Sequence, residues 1–200
     1  MKRIIIAILL ICILITSLVA CNGETTTKAP ANEPPTENSK LVKLNELAEK
    51  LDGDFVIDVK VSSSTGHIIS EKHTITIDGG KRNVTSRIER INEFIVEGDV
   101  ITVPDEYSTV TEKALSDEEI AQGNFEIPAF SFKSSNLSSV VSTKTQTTAK
   151  VNSIKSFLGI SIIGSDAKIT VNHTDSAISS IEISYVTPQS NNVTITYTFN

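Results

Sequence analysis

The chain has 200 residues, with 18 Lys and Arg against 24 Asp and Glu, giving a net charge of −6. That balance offers no electrostatic footprint for nucleic acid, whose phosphates are held by clustered cations. Tryptophan is absent and aromatics are only 5% of residues, which disfavours a sugar-binding platform, and two cysteines are too few for a disulfide framework.

The first element is a leader. Lys2 and Arg3 precede an apolar run from Ile4 to about Val19, which closes on Leu18-Val19-Ala20-Cys21. A positive start, a hydrophobic middle and a small-residue exit are the three parts of a secretory signal. A cysteine at the exit, in place of a second small residue, resembles the lipobox of bacterial lipoproteins. That resemblance implies that residues 1–20 are removed as a signal peptide. It also implies that the Cys21 thiol takes a diacylglyceryl thioether and that the new amino group becomes available for a further acyl chain such as palmitate. The rival reading is an uncleaved membrane helix, since about 17 apolar residues just suffice to cross a bilayer. A helical anchor, however, has no reason to end in Leu-Val-Ala-Cys. Both readings tie the remainder to a membrane, and the lipobox places it on the extracytoplasmic face of the cell membrane.

Without Lys2 and Arg3 the balance is 16 basic to 24 acidic side chains, about −8. Anionic lipid heads repel such a chain, so the acyl groups must anchor it alone; each buried methylene contributes about 0.8 kcal/mol. Cys12 leaves with the leader and Cys21 is consumed by lipid, which leaves no thiolate for a metal site. Cys21 and the stretch to Lys40 form a lipidated, disordered tether: Gly23, Thr25 to Thr27, Pro30, Pro34 and Pro35 carry no apolar period. It reaches at most roughly 60 Å. Residues 41–200 are the length of one domain.

Leu41, Leu44, Leu47, Ala48 and Leu51 recur at helical spacing, and Asp52-Gly53 supplies a stop. The period then becomes two. Phe55, Ile57, Val59 and Val61 alternate with polar residues; His73 to Ile77 continues, and Asp78-Gly79-Gly80 predicts a hairpin turn. Asn83 to Ile95 fits a helix or a strand, and its Val, Thr and Ile content ahead of Val100 to Val103 favours strand. Ser116-Asp-Glu-Glu119 predicts a capping box, with Gly123 limiting the helix to a turn or two. Thr147 to Val151 is strand-like. Lys168 to Asn172, Ile181 to Tyr185 and Val193 to Phe199 alternate cleanly, with Thr194, Thr196 and Thr198 on the wet face and turns at Asn172 to Asp175 and Pro188 to Asn192.

A sheet with one dry face must cover it. One amphipathic helix ahead of a long meander, with a short helical insert near residue 117, predicts a mainly β, α+β fold: a curved antiparallel sheet, or half-barrel, packed over the N-terminal helix and the insert. This order resembles the LolA-type lipoprotein-carrier superfamily across residues 41–200, in topology and strand texture rather than in any motif. The resemblance implies an apolar or lipid-like ligand between sheet and helices. The lining would come from Phe55, Ile57, Val59, Ile75, Ile77, Phe130, Phe132, Ile181, Ile183 and Tyr185.

No catalytic residue or cofactor is expected. His67, His73 and His173 show no metal-ligand spacing, although His73 and His173 both fall in predicted strands and could approach each other. A hydrolase would need a serine or carboxylate beside one of them in a cleft, and no Gly-x-Ser-x-Gly elbow occurs. Asp117 to Glu119 suit a helix N-terminus by charge. The segment Phe125-Glu-Ile-Pro-Ala-Phe-Ser-Phe132 is kept from a central strand by Pro128; it either fills the core or lies as a lid over a cavity, with Phe157 to Ile160 as a second flap. Two functions follow: a non-enzymatic lipoprotein that carries or senses an apolar ligand, or a module with a filled core that meets another envelope protein.

Overall fold

The computed structural model describes residues 37–63, 67–91, 95–97, 100–102 and 108–200. The leader, Cys21, the tether up to residue 36, and Val103 lie outside the described residues. Those described belong to one compact unit, Pro35–Asn200, which contains the whole buried core; a self-contained core is what lets a domain fold alone. Among the described residues no helix is long and apolar enough to cross a membrane.

Helix α1 (Glu37–Ala48) starts inside the expected tether. Its apolar stripe begins only at Leu41, so periodicity does not reach the first turn. It also stops at Ala48, short of Leu51, and Gly53 at φ 76° redirects the chain. Strands β1 (Phe55–Ser62), β2 (Ile68–Asp78) and β3 (Lys81–Ile91) follow. Gly79 and Gly80 both have positive φ, 55° and 83°, as a tight two-residue hairpin turn requires. The ambiguous stretch is therefore strand through Ile91. Among the described residues, strands β4 (Ile95–Glu97) and β5 (Val100–Thr102) pair only with each other.

Strand β6 (Ser108–Ala114) leads to helix α2 (Asp117–Gln122), which has the expected capping box: Glu119 N–H donates to Ser116 Oγ at 3.3 Å, and Ser116 N–H to Glu119 Oε2 at 3.0 Å. Residues 125–132 lie outside any strand, with a tight turn in which Phe130 N–H donates to the Pro128 carbonyl at 2.8 Å. Strands β7 (Leu137–Ser142) and β8 (Gln146–Val151) come next, then helix α3 (Ile154–Leu158), and then β9 (Ser165–His173), β10 (Ile178–Val186) and β11 (Asn192–Phe199).

Nine strands form one antiparallel sheet that does not close, in the order β6-β3-β2-β1-β11-β10-β9-β8-β7. It is the expected mainly β fold. Two meanders are joined at one seam, β1 against β11, in the register Phe55–Phe199 to Ser62–Asn192. On the dry face one register row runs Ser86, His73, Ile57, Tyr197, Ile181, Val171, Thr147. Thr194, Thr196 and Thr198 point to the opposite face and are only half-buried.

The dry face is filled. Leu41, Leu44 and Leu47 of α1, Phe130 and Phe132 of the 125–132 segment, and Ile154, Phe157 and Leu158 of α3 join the strand residues in one core. Phe157 is fully buried; its ring lies 5.3 Å from Phe132 edge-on and 5.9 Å from Phe130, a favoured aromatic arrangement. The 125–132 segment is thus core filler and not a lid. Phe157 to Ile160 is no flap either: it belongs to a capped helix, with Ser153 at the start and Gly159 at φ 76° at the end. The expected insert α2 buries none of its residues, and only Ile120 leans on the core, so α3 supplies the second covering helix.

Candidate functional site

The ten residues expected to line an apolar cavity are placed as follows. Phe55, Ile57, Ile75, Phe130, Phe132, Ile181 and Ile183 are buried, and Val59 and Tyr185 are half-buried against the same core. Ile77 is a correction: it is 42% exposed, because it pairs with Arg82 near the tip of the β2–β3 hairpin, where the sheet extends past its cover. Of the four surface cavities described below, only one touches any of the ten, through Val59.

The histidines do not meet. Strands β1, β11 and β10 lie between β2 and β9, so His73 and His173 are separated by roughly 19 Å of sheet. His73 Nε2 is 3.5 Å from Glu71 Oε2, its Nδ1 is buried without a hydrogen-bond partner among the described residues, and its ring stands edge-on to Phe125 at 5.1 Å. No group of three metal-ligating side chains occurs among the described residues.

One cavity of about 420 Å³ lies over the wet face of β11, β1, β2 and β3, walled by Asp58, Lys60, Lys72, Arg87 and Glu89 together with Thr194 and Thr196. Its charges are mixed, with Asp58, Glu71 and Glu89 against Lys60, Lys72 and Arg87. A hollow of about 570 Å³ flanks α2, and one of about 260 Å³ flanks the C-terminal end of α1.

The fourth is different in kind. A groove of about 580 Å³ opens where α1 meets the β7–β8 hairpin and the end of β9. Leu44 and Leu47 form its floor, Lys40, Lys43 and Lys144 its rim, and Thr147 and His173 one wall. The lysine stems add hydrocarbon to the leucines while their ammonium groups stay wet. The helical spacing of Lys40, Lys43, Leu44 and Leu47 sets them along one side of α1. Lys144 is carried by the tight turn between β7 and β8, which Thr143 holds by accepting from Gln146 N–H at 3.0 Å.

Two polar straps cross the groove. Lys40 Nζ donates to the Ser142 carbonyl at 3.4 Å, and Lys43 Nζ donates to Asp175 Oδ1 at 2.7 Å. The Lys43 hydrogen bond, then the Lys43 charge, hold the Asp175 carboxyl below the usual carboxylate range. The Lys43–Asp175 pair is exposed and can exchange for other partners at little cost, whereas the Lys40 contact is part-buried and long.

The polar wall is a chain of hydroxyls. Ser142 Oγ lies 2.7 Å from Thr147 Oγ1, which lies 3.0 Å from His173 Nε2. His173 Nδ1 lies 3.3 Å from the Thr174 carbonyl. A neutral His173 with its proton on Nδ1 satisfies the whole chain: Ser142 donates to Thr147, Thr147 to Nε2, and Nδ1–H to Thr174 O. Thr147 is 1% exposed, and both its hydroxyl contacts are taken.

Sequence reasoning names no member of this groove as a ligand residue. Its parts come from residues 39–47, 142–147 and 173–175, and only the pairing of β8 with β9, Gln146 against Asn172, brings the last two together. No protein-family model matches the chain, and neither does any curated protein.

Proposed function

We propose that the protein is a non-enzymatic, lipid-anchored lipoprotein of the extracytoplasmic membrane face that binds an apolar or lipid-like ligand, and that the ligand sits in the groove beside α1. The lipobox-like Leu18-Val19-Ala20-Cys21 supports the anchor. The groove supports the ligand: its volume falls within the 300–1,000 Å³ typical of small-molecule sites, and Leu44, Leu47 and the lysine stems give hydrocarbon to a lining otherwise made of polar residues. The single observation that carries the reading is the pair Leu44 and Leu47, 2% and 5% exposed, which back the groove from the core while the Lys40, Lys43 and Lys144 stems line it above them. The filled interior moves the ligand from between sheet and helices to their margin. The Thr147 hydroxyl beside His173 is buried and engaged on both sides, so it offers no free nucleophile in the groove.

The test is titration of the Pro35–Asn200 unit with a fluorescent fatty acid, followed by amide NMR. Saturable binding with shifts confined to Lys40–Leu47, Ser142–Thr147 and His173 is the expected result. Absence of saturable binding removes the reading. For the anchor, mass spectrometry of membrane-extracted protein should find a chain beginning at an acylated Cys21; an intact Met1 with a free thiol would refute it.

The filled core also favours a second reading, an interaction module that meets another envelope protein. Crosslinking in cells would recover a defined protein neighbour in that case, and the fatty-acid titration would fail.

A further inference from the structure

The groove's charge is at odds with the protein's. The chain carries a net −6, yet the charged side chains lining the groove are Lys40, Lys43 and Lys144 against Asp175 alone. Asp175 is 98% exposed at its side chain and meets Lys43 from outside, while among the described residues Lys40 is engaged by a backbone carbonyl at 3.4 Å. Lys144 makes no ion pair among the described residues. Three ammonium groups therefore stand around a hydrocarbon floor with one removable counter-charge.

We propose that the groove selects amphiphiles with an anionic head group, a carboxylate or a phosphate monoester, over uncharged lipids of the same chain. This rests on the groove being the ligand site. The alkyl chain lies on Leu44 and Leu47. The head takes the donors of Lys43 and Lys40, displacing Asp175 and the Ser142 carbonyl, and Lys144 closes on it from the hairpin turn. Charge-assisted hydrogen bonds are about twice as strong as neutral ones, so the exchange favours an anion and gives an alcohol nothing. The hydroxyl wall is saturated by its own contacts, which leaves the lysines as the groove's head-group donors.

The experiment uses the Pro35–Asn200 unit and four probes below their aggregation thresholds: dodecanoate, dodecyl phosphate, dodecanol and inorganic phosphate. Calorimetry should give the two anionic amphiphiles at least about tenfold tighter binding than dodecanol, with the preference shrinking as salt screens the lysines. The combined K40Q, K43Q and K144Q variant should bring both anions down to the affinity that the same variant has for dodecanol; an unaltered thermal melt shows that the fold is kept. Equal affinity for dodecanol and dodecanoate overturns the charge selection but leaves the ligand groove standing. Inorganic phosphate binding as tightly as dodecyl phosphate overturns it in favour of a simple anion site. If no chain-bearing probe binds, the groove reading falls as well.

Discussion

Tyr197 sits at the centre of the dry face, 4% exposed, with Phe130 edge-on at 5.3 Å. Burial, and secondarily the charge of Tyr185, push its phenol up to about 12. The consequence for stability has a definite sign. Below pH 10 the phenol is protonated in both folded and unfolded chains and contributes no pH dependence. Above that, the unfolded chain sheds its proton while the folded one keeps it, so stability falls as pH rises from about 10 towards 12, by roughly 2–3 kcal/mol. Tyr197→Phe should flatten this slope when urea unfolding is compared at about pH 9 and pH 11. Equal slopes for the two proteins would show that Tyr197 ionises freely in the fold. At this scale the sequence was a good guide to burial: nine of the ten candidate lining residues are at least half-buried, and Ile77 fails only because a hairpin tip outruns its cover.

Between elements, Asn45 is the clamp. From the polar edge of α1 its Nδ2 donates to the Phe132 carbonyl and its Oδ1 accepts from the Phe132 N–H, both at 2.8 Å. One side chain thus does for residue 132 what a neighbouring strand does elsewhere. Asn45→Ala leaves a part-buried donor and acceptor unpaired and should cost about 2–3 kcal/mol in urea denaturation. Asn45→Asp, which keeps the acceptor, should fall between; a loss below about half a kcal/mol for the alanine variant would mean that water replaces the clamp. Nothing in the sequence signals this pair, since its members stand 87 positions apart. Elements with a clean local signal are legible: the Gly79-Gly80 turn, the Ser116 capping box and the last three strands. Those without one are not. Helix α3 is too short for a period. Strand β7 reads as a serine tract because a bulge at Ser139, φ 53°, breaks its alternation. Strand β6 buries no side chain and so carries no pattern at all.

For the whole molecule, the order of strands sets the order of stability. Strand β1 is flanked on both sides and backed by the core, whereas β6 is an edge with exposed side chains from Thr109 to Ala114. Native-state hydrogen exchange should find the slowest amides in β1, β11 and β10 and the fastest ladder amides in β6; β6 exchanging as slowly as β1 would contradict this. The groove was hidden for a related reason, because it is assembled only once distant segments have been laid side by side. The β1–β11 seam also dictates when a newly made chain can finish folding. Phe55 is synthesised early and must wait for Phe199 before its second edge is matched, a long delay in which loop closure opposes pairing. A product cut short before Asn192 would therefore hold two unjoined flanks with raw inner borders. Such fragments should be cleared by proteases and never accumulate as partly working forms.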